Sequence, residues 1–283
     1  MSRGNAEPRV DTSSAGQAMS RIEVAGASWN VVEAGNGPVL LLVHGFPLDH
    51  SMWEHQLGAL SARFRVIAPD LGGFGASLDA GGESTMERFA DALAALLDAL
   101  AVDEPIAFGG LSMGGYVAWE FCRRHAERLG KLILCDTRAA ADSDDVARGR
   151  LDAAEHVLAE GSTGFVEAMI GKLFAEQTVR QRPDAVDRIR RVMLGTAAET
   201  VAAGLRGMAR RTDMTAALGQ VAIPTLILCG WEDVISPPDE MRSIAAAMPN
   251  ARFAEVPGAG HMAPLENPRF VNQAITEFLA RPD

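Results

Sequence analysis

The chain has 283 residues, of which 48% are hydrophobic and 22% charged, a composition ordinary for a soluble globular protein with a sizeable core. Its formal net charge of -11, without a dense run of Lys or Arg, disfavours binding to nucleic acid or to an anionic membrane surface. A small, uncharged or hydrophobic molecule is the partner that fits this charge balance. The length predicts one main domain with an insertion.

Residues 1–18 are polar and lack the apolar centre of a secretory signal or a membrane anchor, so we expect a disordered tail. The apolar runs, such as 39–43, are far shorter than the roughly 20 residues of a membrane-spanning helix. These features predict a cytoplasmic protein. Cys122, Cys135 and Cys229 each lie in an apolar segment, which favours buried free thiols.

Short apolar runs alternate with amphipathic helical patterns, which is typical of a largely parallel sheet covered by helices. Segments 20–26 and 28–35 predict an antiparallel hairpin at the sheet edge. Buried parallel strands read as continuous apolar runs. By that criterion the central strands are predicted at 38–43, 64–69, 105–110, 131–136, 224–230 and 251–257.

A helix is predicted to begin at Ser84, because Glu87 three residues later completes a capping box. Its apolar stripe is interpreted as core and not as a ligand site: Met86, Phe89, Ala90, Leu93, Leu96, Leu97 and Leu100.

From 137 to 222, helical patterns follow one another without an intervening strand, which predicts an inserted helical cap. The α/β core is then formed by residues 19–136 and 223–283. Two Arg-rich pieces of the cap, 180–183 and 190–193, are interpreted as solvated helix faces.

The fragment GGLSMGG at 109–115 places one serine among four glycines, after a predicted strand and before a helical pattern. It fits GxSxG, the sharp strand-to-helix turn that exposes a nucleophilic serine. Ser112 is therefore the candidate nucleophile. A hydroxyl is a weak nucleophile until a base takes its proton, so a histidine oriented by a carboxylate is required.

Of the six histidines, His261 is the best placed, because it follows the last predicted strand in a glycine-rich loop. Such a loop can bring its imidazole over the carboxyl edge of the sheet. The carboxylate is expected from a strand end between Ser112 and His261. Asp233, directly after the strand 224–230, is the first candidate, and Asp136, at the end of 131–136, is the alternative.

Acyl transfer also requires hydrogen-bond donors for the developing oxyanion. The Met113 amide is one candidate, because it begins a helix, where N–H groups are free and the dipole favours negative charge. The Phe46 amide is the second, in the HGFP loop after the first central strand, where Gly45 permits a close turn. His44 is expected to brace this loop by hydrogen bonding.

Several apolar residues close to these elements are candidates for the wall of a substrate pocket, with membership of the core as the alternative interpretation. Besides Phe46 and Met113, they are Trp53, Trp231, Val234 and Met262.

The segments HGFP, PDLGGFGAS, GLSMGG, GWEDVISPP and GHMAPLENP stand in the order of the landmarks of the α/β-hydrolase family. The chain resembles this family from about residue 20 to 281. Its branch resembles carboxylesterases, 3-oxoadipate enol-lactonases and cofactor-free haloperoxidases or perhydrolases. The resemblance implies a triad of Ser112, Asp233 and His261, an oxyanion hole from the Phe46 and Met113 amides, and a helical cap over the pocket.

The chain departs from the family pattern in the PDLGGFGAS loop. Relatives usually carry an arginine and often a histidine there, where this chain has Gly72 and Phe74. The loop is therefore expected to be less tightly braced.

The predicted function is hydrolysis of a small carboxylic ester or lactone through an acyl-enzyme, with no metal or organic cofactor. Epoxide hydrolases and haloalkane dehalogenases attack with an aspartate where this chain has Ser112. Epoxide hydrolases also use cap tyrosines, whereas Tyr116 is the only tyrosine here. The alternatives are a perhydrolase with the same triad and a non-catalytic ligand-binding protein. No motif specifies the acyl group, the alcohol or the oligomeric state.

Overall fold

The protein is described from a computed structural model at residues 16–79, 81 and 83–281. Within them, eight strands form one sheet in the order β1-β2-β4-β3-β5-β6-β7-β8. β2 is antiparallel to both β1 and β4, and all other neighbours are parallel. The strands are β1 Gln17–Val24, β2 Ala27–Ala34, β3 Val39–Val43, β4 Arg65–Pro69, β5 Ile106–Leu111, β6 Leu129–Cys135, β7 Thr225–Gly230 and β8 Ala251–Val256.

The predicted α/β-hydrolase architecture and the edge hairpin are confirmed. Each central strand lies within two residues of its predicted bounds, because strands covered on both faces are apolar throughout. All six residues of β7 are buried, whereas all residues of the edge strand β1 except Val24 are exposed or partly buried. The strand β1 begins at Gln17, two residues before the predicted boundary of the core. Residues 1–15 of the predicted tail lie outside the described residues.

Helices cover both faces of the sheet. Successive strand residues point to opposite faces, so Leu41 and Val43 pack in the layer with α2 and α3, while Leu40 and Leu42 pack with α1 and α11. The helices are α1 Glu54–Leu60, α2 Met86–Ala99, α3 Met113–Arg124, α4 Asp144–Glu160, α5 Thr163–Leu173, α6 Glu176–Gln181, α7 Pro183–Gly195, α8 Ala198–Ala209, α9 Pro238–Ala247, α10 Ala263–Glu266 and α11 Pro268–Leu279. In the part of the chain that the structure describes, none of them has the length and apolar content needed to cross a membrane.

The predicted start of α2 is wrong by one residue. Its N-cap is Thr85, whose Oγ1 accepts a hydrogen bond from the Arg88 N–H at 3.2 Å. Ser84 is instead buried, and its carbonyl packs closely against Gly207 of α8. Ser84, which the local pattern favours as the N-cap, is therefore used in a tertiary contact with α8 instead.

Within the segment 137–222, for which the sequence predicts a cap, five helices from α4 to α8 follow one another without a strand. A buried ion pair joins its two ends, since Arg211 Nη1 lies 2.6 Å from Asp142 Oδ1. The three cysteines are free and buried, as predicted.

Candidate active site

The predicted catalytic residues meet at one edge of the sheet. Strands β5, β6, β7 and β8 are parallel neighbours, so their carboxyl ends open onto the same crevice, where α/β sheets bind ligands. Ser112 directly follows β5 and Asp136 directly follows β6. Asp233 and His261 lie on the loops that leave β7 and β8. Chain positions more than 100 residues apart are thereby collected on four adjacent loops.

Ser112 occupies the turn between β5 and α3 with φ 53° and ψ -112°, a conformation that is rare for a residue with a side chain. Its N–H donates to the Cys135 carbonyl at 2.9 Å, and its own carbonyl accepts from Thr137 Oγ1 at 2.7 Å. These bonds to the end of β6 hold the turn in place. A strained backbone conformation that is held by surrounding hydrogen bonds is typical of active-site residues.

The glycines around Ser112 are required by close approach of the backbone. A side chain at Gly110 would overlap the Gly114 carbonyl, and one at Gly114 would overlap the Val43 carbonyl at the end of β3. The GxSxG pattern therefore has the geometry of a nucleophile turn, which is the context that the sequence predicts.

His261 and Asp233 form a buried hydrogen-bonded pair. The His261 Nδ1–H donates to Asp233 Oδ2 at 2.8 Å, and their side chains are 2% and 0% exposed. Asp233 Oδ1 accepts from the N–H groups of Ile235 at 2.8 Å and Ser236 at 3.1 Å. The Ser236 hydroxyl donates to Oδ2 at 2.8 Å. Asp233 is thus surrounded by donors that fix its orientation.

These contacts also set the acid strength of Asp233. Burial alone would raise its pKa, but the charge of His261 and the hydrogen bonds from His261, Ser236 and Ile235 lower the pKa below its ordinary value. Ser236 was missed by the sequence analysis. The signal for it was an Asx-type turn, in which an aspartate accepts bonds from backbone groups two and three residues later.

The second ring nitrogen of His261 is free to act on another group. Nε2 is buried and has no hydrogen-bond partner among the described residues. The described contacts include no hydrogen bond between Nε2 and Ser112 Oγ, a contact that often shortens only when substrate is bound. The bond to Asp233 fixes the tautomer, with the proton on Nδ1 and the lone pair on Nε2.

Asp136, the alternative acid, has different surroundings. Its Oδ1 accepts from the Gly230 N–H at 2.7 Å, while Oδ2 is buried without a partner among residues 16–79, 81 and 83–281. Burial raises the pKa of Asp136 well above its ordinary value, and the nearby charge of Asp233 raises it further. The carboxyl bonded to His261 is that of Asp233.

The HGFP loop lies against the nucleophile turn. A Cβ placed on Gly45 would be 3.5 Å from Ser112 Cβ. Among the described residues, the Phe46 N–H has no acceptor, and Met113 is the first residue of α3, where N–H groups lack an intrahelical partner. The two predicted oxyanion donors therefore stand on adjoining backbone segments.

His44 braces this loop, as the sequence predicts. Its Nδ1–H donates to the Gly45 carbonyl at 2.8 Å, and its Nε2 accepts from the Leu71 N–H at 3.0 Å. Burial lowers the pKa of His44, which favours the neutral ring that this donor and acceptor pattern requires. Phe74 packs edge-on against the His44 ring, with centroids 5.4 Å apart.

Asp70 organises the loop that carries Gly72 and Phe74. One oxygen accepts from the backbone N–H and the ring Nδ1–H of His50, each at 2.7 Å. The other oxygen accepts from Asn30 Nδ2 at 3.0 Å and from the Ala76 N–H at 2.9 Å. Burial would raise the pKa of Asp70, but these donors and the charge of His50 lower it to about 2.

The edge hairpin lies against the loop at Gly72. A Cβ on Gly72 would lie 3.2 Å from the indole nitrogen of Trp29, so the buried indole covers this position. The Arg21 guanidinium donates to the Ala76 carbonyl at 2.5 Å, and the Asn30 N–H donates to Ser77 Oγ at 2.8 Å. β1 and β2 therefore contribute to bracing this loop, and the expectation that it is less tightly braced than in relatives stays a prediction.

The candidate pocket residues lie in different surroundings. Trp53 and Met262 are fully buried in the apolar layer with α1 and α11. Trp231 and Val234 flank Asp233 on the loop after β7 and are 66% and 67% exposed. Phe46 packs edge-on against Phe165 of α5, with centroids 6.0 Å apart. Phe46 thus connects the oxyanion loop to the five-helix segment, and Met113 is buried beneath the nucleophile turn.

Among residues 16–79, 81 and 83–281, two groups have spacing that would suit a cation, and neither is a free ligand set. In the group of Asp49, His50 and Asp70, the His50 ring and the Asp70 oxygens are already hydrogen-bonded to each other or to backbone. The other group comprises Asp136, Cys229 and Asp233. In this group, the Asp233 oxygens already accept hydrogen bonds from His261, Ser236 and Ile235.

Comparison with known proteins agrees with this geometry. The alpha/beta hydrolase fold family matches residues 38–268, and the chain belongs to this family. It is 30% identical over 256 residues to the putative non-heme bromoperoxidase BpoC of Mycobacterium tuberculosis, covering 87% of this chain and 95% of that protein.

Two solved structures are similar over nearly the whole chain. A thermophilic esterase from Thermogutta terrifontis, solved with malate bound, is 44% identical with a TM-score of 0.89, over 92% of this chain and 97% of that one. The enol-lactonase from Burkholderia xenovorans LB400 is 28% identical with a TM-score of 0.85, over 92% and 100% of the two chains. The protein is a hydrolase, and its predicted kinship with esterases, enol-lactonases and haloperoxidases is confirmed.

Proposed function

We propose that the protein hydrolyses small carboxylic esters or lactones through an acyl-enzyme formed on Ser112. The buried hydrogen bond between His261 and Asp233, with Nε2 left unpartnered, is the observation that carries the proposal. An imidazole held in this tautomer beside a strained serine turn is the arrangement of an activated nucleophile.

In the first half-reaction, Ser112 Oγ bonds to the ester carbonyl carbon while His261 Nε2 takes the hydroxyl proton. The C–O bond to the leaving alcohol then breaks, and the imidazolium returns the proton to that alcohol. Asp233 stabilises the imidazolium and keeps the ring oriented. In the second half-reaction, water gives a proton to Nε2 and attacks the acyl carbon. The bond between that carbon and Ser112 Oγ then breaks, the imidazolium returns the proton to Oγ, and the acid is released. All atoms come from substrate and water, so the scheme needs neither metal nor organic cofactor.

The amides of Phe46 and Met113 are proposed to donate to the oxyanion of each tetrahedral intermediate. Donors that are fixed before the reaction stabilise this charge without further reorganisation. The helices α4 to α8 are proposed to form a cap over the pocket that selects the acyl group. The net charge of -11 favours a neutral or hydrophobic small molecule as substrate.

Perhydrolysis is a second candidate, favoured by the similarity to BpoC, a putative non-heme bromoperoxidase. In this version hydrogen peroxide replaces water in the second half-reaction and attacks the same acyl-enzyme. The products are a peracid and the free serine, so the triad roles remain unchanged. The ratio of peracid to acid formed in the presence of peroxide distinguishes the two candidates.

A panel of p-nitrophenyl esters and lactones, assayed with and without peroxide, tests the proposal. The Ser112→Ala variant should fold normally and lose ester hydrolysis by a factor of up to about 10⁶, because triad members act as a unit. Ser243→Ala, which changes an exposed serine on α9, is the matched control and should keep full activity. Near wild-type hydrolysis of p-nitrophenyl butyrate by Ser112→Ala would contradict the proposal.

A further inference from the structure

The loop that carries His261 lies against the five-helix segment. We call residues 257–266 the histidine loop and residues 173–182, which run from the end of α5 through α6 to the start of α7, the cap connector. The two are far apart in sequence, and the connector has no residue in the proposed triad. Their contact is nevertheless close and polar, and it involves the residues on both sides of His261.

Three hydrogen bonds join the backbone of the histidine loop to the cap connector. The Met262 N–H donates to the Leu173 carbonyl at 3.1 Å. Arg182 Nη1 donates to the carbonyls of Leu265 at 3.1 Å and Glu266 at 3.0 Å. The sequence analysis placed Arg182 on a solvated helix face, but this side chain is partly buried and caps the carbonyls of α10.

Glu266 joins the same two segments through its side chain. Its Oε1 accepts from the Gly260 N–H at 2.7 Å, and its Oε2 accepts from the Ala175 N–H at 2.8 Å. Gly260 immediately precedes His261, and Ala175 is the residue between α5 and α6 that caps α6. One buried carboxylate therefore bridges the connector to the peptide that leads into His261.

The two backbones at this bridge are in contact, with no space for independent movement. A Cβ placed on Gly260 would lie 2.7 Å from the Ala175 nitrogen and 2.8 Å from the Phe174 carbonyl carbon. Burial raises the pKa of Glu266 above its ordinary value, although the hydrogen bonds that it accepts oppose this.

We propose that Glu266 is a positioning residue for His261, which couples the placement of the imidazole to the seating of the cap connector. The carboxylate holds the Gly260 peptide against Ala175, so a connector that lifts from the core also moves the histidine away from its productive position. This inference rests on the proposed hydrolase function, because it assigns how His261 is held for that reaction.

Glu266→Gln tests the bridge with little change in shape. Both glutamate oxygens accept a hydrogen bond, whereas the amide offers one oxygen and one NH₂, so the Gly260 or Ala175 N–H must lose its acceptor. We expect kcat for the smallest active ester to fall about 10- to 100-fold, as small misplacements of catalytic groups do. KM should change by less than about threefold, because uniform binding is not removed.

Ala175→Pro tests the connector side. Ala175 has φ -59° and ψ 146°, and Phe174 before it is extended with φ -118° and ψ 146°, so both conformations suit a proline while the N–H is removed. Ala197→Pro is the matched control. Ala197 caps α8 with φ -58° and ψ 143°, follows an extended Thr196, and its N–H makes no hydrogen bond to another described residue.

Glu120→Gln is the control for Glu266→Gln, because Glu120 is a buried glutamate on α3 that pairs with Arg123. Amide hydrogen exchange of Gly260, measured without substrate, provides a readout independent of activity. We expect faster exchange in Glu266→Gln and wild-type exchange in Glu120→Gln. Loss of kcat in Glu266→Gln and Ala175→Pro, with both controls active, supports the coupling.

Three outcomes would overturn it. They are wild-type kcat in Glu266→Gln, a loss of kcat shared equally by the control variants, and unchanged exchange at Gly260. If the first outcome were accompanied by a lower melting temperature, Glu266 would be a stabilising residue only. If the wild-type protein hydrolyses no ester, the proposed function fails by itself, and the exchange of Gly260 still decides whether the bridge exists.

Discussion

A buried aspartate follows each of the strands β6 and β7, yet the pKa values of the two carboxyl groups are shifted in opposite directions. Donors from His261 and Ser236 lower the pKa of Asp233 despite its burial. Asp136 accepts one hydrogen bond, has one unpartnered oxygen, and its pKa is raised well above the ordinary value, first by burial. The comparison teaches that the groups facing a buried carboxyl decide whether burial is offset: a histidine charge and several donors offset it at Asp233, whereas a neighbouring carboxylate adds to it at Asp136.

Only an ionised carboxylate can stabilise the imidazolium that forms when His261 takes a proton. We therefore expect Asp233 to act on the chemistry and Asp136 to hold its proton at a pH where Asp233 is ionised. When two carboxyl groups lie close together, the repulsion between their negative charges commonly keeps one ionised and the other protonated. The tests below separate the two residues in order of expected effect.

Asp233→Asn should lower kcat for ester hydrolysis by about four orders of magnitude near neutral pH, because the amide favours the wrong tautomer of His261. Turnover of a p-nitrophenyl ester measures this, and circular dichroism checks that the variant is folded. Asp136→Asn in the same assay is the internal control. A loss of similar size in both variants would mean that neither aspartate alone orients His261.

Ser236→Ala should lower kcat about tenfold, the effect expected for one hydrogen bond to a charged group. The variant removes the hydroxyl that donates to Asp233 Oδ2 at 2.8 Å and leaves the two backbone donors in place. Initial rates against substrate concentration give kcat and KM separately, with Ser243→Ala as control. An unchanged kcat would show that the backbone donors suffice.

Asp136→Asn should change kcat by no more than about threefold, because a neutral amide resembles the protonated acid in charge and shape. The Gly230 N–H keeps its acceptor if the amide oxygen replaces Oδ1. Steady-state rates at neutral pH provide the measurement. A loss larger than that of Asp233→Asn would move the functional acid to the end of β6.

The same variant should flatten the dependence of stability on pH. The raised pKa of Asp136 contributes stability that is fully present below the unfolded-state pKa of about 3.9 and is lost as pH rises through the folded-state value. The wild-type free energy of unfolding should therefore fall relative to Asp136→Asn as pH increases. Urea unfolding at a series of pH values measures the difference, and a difference that grows with pH in favour of wild type would contradict the raised pKa.

Much of this site was predictable from sequence because its signals are local. An apolar run identifies a strand. When the run is followed by GxSxG, by an aspartate or by a glycine-rich loop with a histidine, it also identifies the candidate catalytic residue after that strand. Ser112, Asp233 and His261 were named on that basis, and the structure brings the latter two into contact. The strand bounds followed from the same continuous apolar runs.

The remaining contacts were not predictable because their partners lie far away in the chain. Glu266 meets Ala175 across 91 residues, and Trp29 covers Gly72, which no local pattern encodes. For Trp53, the sequence could not decide between the pocket wall and the core, because proximity in sequence to a catalytic residue does not fix the direction of a side chain. The N-cap of α2 is likewise Thr85 and not the preceding serine, because that serine is buried by tertiary packing.

Because Trp29 and Arg21 contact the loop after β4, the first hairpin is connected through that loop to the predicted oxyanion donors. Leu71 in that loop donates to His44, and His44 in turn holds the Gly45 carbonyl. Trimming the chain into the hairpin is therefore expected to impair the rate of reaction as well as the stability of the sheet. For protein engineering, the hairpin is a site where thermal tolerance and turnover would be changed together.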